Sequence, residues 1–121
     1  MTSAIGPQRN DLLTVSLAAA PSIGRVQLTR IELAPGQASG AHHHPCDVVG
    51  IVISGSIRFE IDGLDEVILH TGDPFFEPRN AHVIHFDNAN EEQPTVFLAC
   101  YLLGPDQTHV ITNETATPAP D

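Results

Sequence analysis

Gly36-Gln37-Ala38-Ser39-Gly40-Ala41-His42-His43-His44-Pro45-Cys46-Asp47-Val48-Val49-Gly50-Ile51-Val52-Ile53-Ser54-Gly55 sets three histidines directly ahead of an apolar run, between glycine turns. Side chains on an extended strand alternate faces with a period of two. His42 and His44 therefore point one way and His43 the other. Two imidazoles about 7 Å apart along a strand can share one metal ion at bond lengths near ~2.1 Å.

Downstream, Val48 to Ile53 has the length and composition of a buried strand. Ser54-Gly55 then leads into Ile57-Arg58-Phe59-Glu60-Ile61, a clean apolar/charged alternation that predicts a hairpin. Asp62-Gly63, Thr71-Gly72-Asp73-Pro74 and Pro78-Arg79-Asn80 are turns. Between and after them fall short strands at Val67–Leu69, Phe75–Glu77 and Val83–Phe86. Asn88 to Pro94 is a polar loop, and Thr95 to Leu103 is a long strand with Val96, Phe97, Leu98 and Leu102 as core candidates. Upstream, Pro35-Gly36 closes an alternating strand over Arg25–Leu33, Ala18 to Gly24 is a connection, and Asp11–Leu17 is a further strand candidate. No segment carries a 3.6-residue period over three turns, and there is no internal repeat. Eight or nine short strands with a turn between each pair predict an all-β sandwich or barrel. The expected organisation is a flexible tail over 1–10, one barrel domain over 11–111, and a disordered Thr/Pro/Ala-rich tail over 112–121.

The 121 residues suffice for a single domain with its own core. Fifteen acidic residues face five arginines and no lysine, a net charge of −10. That balance argues against nucleic acid and anionic membrane surfaces as partners. Cys46 and Cys100 are too few and too far apart for a secreted disulfide framework. Residues 1–10 lack the apolar core of a signal peptide, and no apolar run nears the ~20 residues of a membrane span. The expectation is a cytoplasmic protein.

The glycine-bounded histidine stretch resembles the first motif of the cupin superfamily: Gly36, His42, His44 and Gly55 fall where that pattern wants them. Gly72 and Pro78 match the second motif, and the resemblance spans about residues 25–103. It implies a jelly-roll barrel (a double-stranded β-helix), a metal in its mouth, and a homodimer. Two positions depart from the pattern. The glutamate position falls on Val48 or Val49, and Asp47 has the opposite parity. Counting from Pro78, Asn80 takes a glycine position that fits a turn of positive φ, and the second-motif histidine position falls on Val83, between His82 and His85.

His42 and His44 are accordingly the candidate metal ligands. His85, which shares a face with Val83 on a regular strand, is favoured over His82 as the third; both together require a bulge. Glu77, ahead of Pro78, is a candidate catalytic acid/base or replacement acidic ligand, or else a partner of Arg79 or Arg58. Cys46 shares the parity of His42 and His44; it is a soft ligand or, more simply, a small buried thiol. His43, His70 and His109 are expected at the surface. Such a site suits a divalent transition metal (Fe, Zn, Ni, Cu or Mn). By resemblance it suits a dioxygenase or an isomerase/lyase acting on a small oxygenated organic molecule. The alternative is a non-catalytic small-molecule binding or sensing module.

Overall fold

The computed structural model describes residues 6–17 and 22–113. Nine strands follow in order: β1 (Arg25–Leu33), β2 (His42–His43), β3 (Asp47–Ser54), β4 (Ser56–Ile61), β5 (Val67–His70), β6 (Pro74–Glu77), β7 (Val83–Asn88), β8 (Thr95–Leu103) and β9 (Thr112–Asn113). They form two antiparallel sheets, one ordered β1-β8-β3-β6 and the other β5-β4-β7-β2-β9. The described residues contain no helix, so none is long and apolar enough to cross a membrane. This is the all-β architecture that the strand pattern predicts, in the jelly-roll form that the resemblance implies.

The facing sides of the two sheets make the core. Alternation along β8 sends Phe97, Ala99, Tyr101 and Leu103 inward, while Leu98 and Leu102, two of the predicted core residues, stand half-buried on the opposite face. Phe59, Phe75, Phe86 and Phe97 bridge the sheets, edge to face except for the tilted Phe86–Phe97 pair, with ring centroids 4.8–6.1 Å apart. Asn88, buried at the end of β7, ties down the loops at that end: its amide donates to the Leu33, Ala34 and Gln93 carbonyls and its oxygen accepts from Thr95 Oγ1.

Three expectations change. Asp11–Leu17 is not a strand; Leu12, Leu13 and Val15 instead line a groove with Leu28, Val49, Ile51 and Leu98 on the outer face of the four-stranded sheet. Thr112–Asn113, assigned from composition to the tail, pair with β2 through Thr112↔His43 and Asn113↔His42. The histidine stretch is not one strand running into Val48: β2 ends at His43, Pro45 breaks the ladder, and the chain crosses to the other sheet by Asp47. Residues 18–21 of the expected connection, the N-terminal tail at 1–5 and the C-terminal tail from 114 lie outside the described residues.

Candidate metal centre

Among the described residues, His42, His44 and Glu77 are the group whose donor atoms converge, all within 4.8 Å of one another, and all three side chains are buried. His42 is positioned by β2, which lies between β7 and β9. His42 Nδ1 bonds the Gly40 carbonyl at 2.8 Å, and His44 Nδ1 bonds the Val110 carbonyl. A carbonyl only accepts, so each Nδ1 carries the hydrogen and each Nε2 faces the cluster. This is the backing that holds metal-binding imidazoles in one tautomer and orientation. His44 Nε2 stands 2.8 Å and His42 Nε2 3.9 Å from Glu77 Oε1. A buried carboxylate that close to ring nitrogens needs a proton or a cation between them. Two imidazoles, a carboxylate and fixed tautomers are a donor set that fits a divalent transition metal.

Glu77 comes from β6, not from the strand where the family's first motif carries its glutamate. On β3 the motif's glutamate position falls on Val48 or Val49, and β6 sets Glu77 directly opposite Val48. Phe75 and Glu77 both point inward on β6. The following turn is clamped to the histidine segment at two points: Asn80 N donates to the His44 carbonyl at 2.8 Å, and Arg79 N donates to Asp47 Oδ1 at 2.9 Å. Asp47, facing away from the cluster as its parity requires, thereby helps hold Glu77 against the rings. Asn80 has φ 63°, the left-handed conformation expected where the motif carries glycine.

His85 and His82 lie outside the cluster. Glu60 pairs with His85 but Ile61 pairs with Val83, so β7 carries a bulge at Ile84. One inserted residue reverses the parity beyond it. Val83, Phe86 and Asn88 face inward, and His85 turns out to bond Asp87 Oδ2 at 2.8 Å. His82 is exposed, with Nδ1 3.9 Å from Asp62 Oδ2. Val83, where the motif count places the histidine, is directly opposite His42 and fully buried; the third donor position near it is apolar. Cys46 is a buried thiol that lines a separate cavity with Asp47, Arg79 and Leu102. Burial, then the Asp47 charge, push its pKa up, and it does not join the cluster. His43 is half-buried; His70 and His109 are exposed.

Burial pushes the Glu77 carboxyl up, but hydrogen bonds and charge from His42 and His44 outweigh it and bring the net shift below the ordinary value of 4.5. A depressed carboxyl contributes stability above its unfolded-state pKa and loses it as pH falls through the folded-state value. Chelator-treated protein is therefore expected to lose urea resistance as pH drops below the ordinary glutamate value, with the loss flattened in Glu77→Gln. An equal acid loss in both proteins removes Glu77 as its source.

A cavity of about 120 Å³ opens onto the cluster. Its wall includes two residues that strand reading alone passed over. Tyr101 packs beside His44 with ring centroids 5.5 Å apart. Burial, with the charges of Glu77 and Cys46, pushes its hydroxyl up to about 12, so it stays a hydrogen-bond donor at neutral pH. Ile111 lines the mouth, next to the Val110 carbonyl that holds His44. The signal for this second piece is the apolar pair Val110-Ile111 just ahead of the Thr/Pro-rich run.

The cupin domain family Cupin_2 matches residues 29–101, and the chain belongs to that family. No curated protein matches it. An oxalate oxidase in complex with the substrate analogue glycolate superposes with a TM-score of 0.65 at 22% identity, covering 76% of this chain and 47% of that one. A DMSP lyase from Ruegeria pomeroyi gives 0.62 at 19%, covering 75% and 43%. A cupin-superfamily sugar phosphate isomerase from Silicibacter pomeroyi gives 0.58 at 24%, covering 68% and 53%. The chain spans about half the length of these proteins, and likeness at such identity speaks to the fold.

Proposed function

We propose that His42, His44 and Glu77 hold a divalent transition metal and that the protein is a metal-dependent enzyme acting on a small oxygenated organic molecule, as a dioxygenase or an isomerase/lyase. The observation that carries this reading is the convergence of two Nε2 atoms, both backed through Nδ1, on one buried carboxylate. A divalent ion there supplies Lewis acidity and open coordination positions. The chain's own residues do the rest. His42 and His44 fix the direction of approach, Glu77 reduces the net charge and is placed to take or return a proton, and the Tyr101 hydroxyl offers a hydrogen bond beside them. Fold neighbours named as an oxidase, a lyase and an isomerase favour an enzyme without choosing among these reactions. Metal analysis of protein purified without a nickel column tests the reading, since His42-His43-His44 can itself collect nickel. Close to one equivalent is expected, and less than about a tenth of an equivalent of any transition metal sinks it.

The second reading, a non-catalytic binding or sensing module, is favoured by valines, Val48 or Val49 and Val83, standing where the family's motifs carry ligands. Oxygen uptake or product formation with any of a panel of diketones, thiols and phenols excludes it.

We further propose a homodimer. β1 is an edge strand of nine residues whose described pairing is to β8 alone. The outer face beside it exposes Val26, Leu28 and Ile53. Sedimentation at micromolar concentration should give twice the 13.0 kDa chain mass, and Leu28→Glu should shift it toward one chain. A single-chain mass for the parent protein refutes the dimer. We place the chain in the cytoplasm, a reading supported by the free thiols of Cys46 and Cys100.

A further inference from the structure

The cavity over the metal centre has an unusual electrostatic wall. The chain contains no lysine and five arginines, all within the described residues. Arg9 is exposed in the N-terminal segment, and Arg30 is exposed on β1. Arg25 donates to the Gln107 carbonyl at 3.0 Å, Arg58 pairs with Glu66 at 2.9 Å, and Arg79 lines the separate cavity beside Asp47. None lines the cavity over His42, His44 and Glu77. Among the described residues its polar side chains beyond that trio are Tyr101 and Ser39, and the Ser39 hydroxyl donates to the Phe86 carbonyl at 2.7 Å. The remaining wall is apolar, with Leu33, Val48, Phe75, Phe97 and Ile111 among it.

Charge counting limits what can enter. A divalent cation beside one carboxylate leaves a single positive charge to match. A second negative charge on the ligand would be buried against hydrocarbon with no partner, which costs several kcal/mol. Size adds a second limit, because about 120 Å³ is of the order of the ~150 Å³ apolar cavity that takes up benzene. We propose that this cavity selects a small ligand bearing at most one negative charge, with one oxygen-donor end at His42, His44 and Glu77 and an apolar body of about a benzene ring's size, and that it rejects dicarboxylates and phosphate esters. The donor end rests on the metal-centre reading; the apolar body rests on the cavity wall alone. Oxalate and sugar phosphates, named for two of the fold neighbours, fall in the rejected class.

Calorimetric titrations in mildly alkaline buffer test this with phenol and cyclopentanone against succinate and inorganic phosphate, on zinc-loaded and on metal-free protein. The neutral probes should bind the zinc-loaded protein at least about tenfold more tightly than either dianion, since an unmatched charge exceeds the ~1.4 kcal/mol of a tenfold change. Ala99→Phe, which fills the cavity from the inward face of β8, should abolish phenol binding. Ile111 is 40% exposed, so Ile111→Arg should fold whether or not Ala99→Phe does. It places a cation at the mouth and should raise succinate affinity about tenfold. Succinate or phosphate binding the parent protein more tightly than phenol overturns the proposal, as does phenol binding that survives in folded Ala99→Phe. Phenol bound by metal-free protein and displaced by Ala99→Phe, with no zinc uptake, sinks the metal centre while supporting the cavity's selectivity. Failure of phenol to bind in either state overturns the cavity's selectivity, while zinc uptake by the same samples leaves the metal centre standing.

Discussion

Glu77→Gln is expected to weaken zinc binding by at least about a hundredfold. Residues that merely orient a metal ligand cost about 10–100-fold when removed, and here a charged donor is lost. Glutamine keeps the size of the side chain, so the fold stays intact and the readout is affinity, measured by competition with a chromophoric chelator. His44→Ala should fall by a similar factor, because it deletes the ring nitrogen 2.8 Å from Glu77 Oε1. His85→Ala and His82→Ala should stay within about twofold of the parent, because both side chains lie outside the cluster. Zinc affinity unchanged in Glu77→Gln removes the carboxylate from the ligand set. A large loss in His85→Ala would mean that the bulge at Ile84 does not turn that ring away.

Phe75→Ala should cost about 3–5 kcal/mol in urea unfolding, the range for deleting a large buried aromatic. Phe75 faces inward on β6, lies edge to face with Phe59, Phe86 and Phe97, and sits directly opposite Gly50. The glycine exists to admit it: a Cβ at Gly50 would meet Phe75 Cζ at 2.2 Å and the Leu98 carbonyl at 2.3 Å. Gly50→Ala should therefore cost about 1–3 kcal/mol by overpacking. The double variant should lose less than the sum, since removing the ring makes part of the room the methyl needs. Phe75 shares its strand face with Glu77, so Phe75→Ala should also weaken zinc binding. A loss below about 1 kcal/mol would show that the four rings do not join the sheets as their geometry implies.

Strand content was legible because it depends on local pattern. Arg25–Leu33 and Thr95–Leu103 begin and end where the alternation and the flanking turns place them. Asp11–Leu17 misled for the same reason: its apolar residues satisfy the pattern but cover the outer face of a sheet. The site divides in the same way. His42 and His44 were readable from their spacing inside a motif. The third member was open to both a histidine and a carboxylate, and parity argued for His85 because parity assumes a regular strand. A single bulge at Ile84 reversed that argument. The Val110 carbonyl behind His44 could not be read from spacing at all, since 66 residues separate the two.

By itself, the sequence determined an all-β chain, the cupin motifs and a histidine pair aimed to one side, because each of these is set within a few residues of backbone. Only the tertiary structure decided that the carboxylate beside them comes from β6, that Val83 fills the space the motif gives to histidine, and that residues 110–113 border the site. Those outcomes depend on register across the sheets, and register is fixed by which distant side chains fit together in the core.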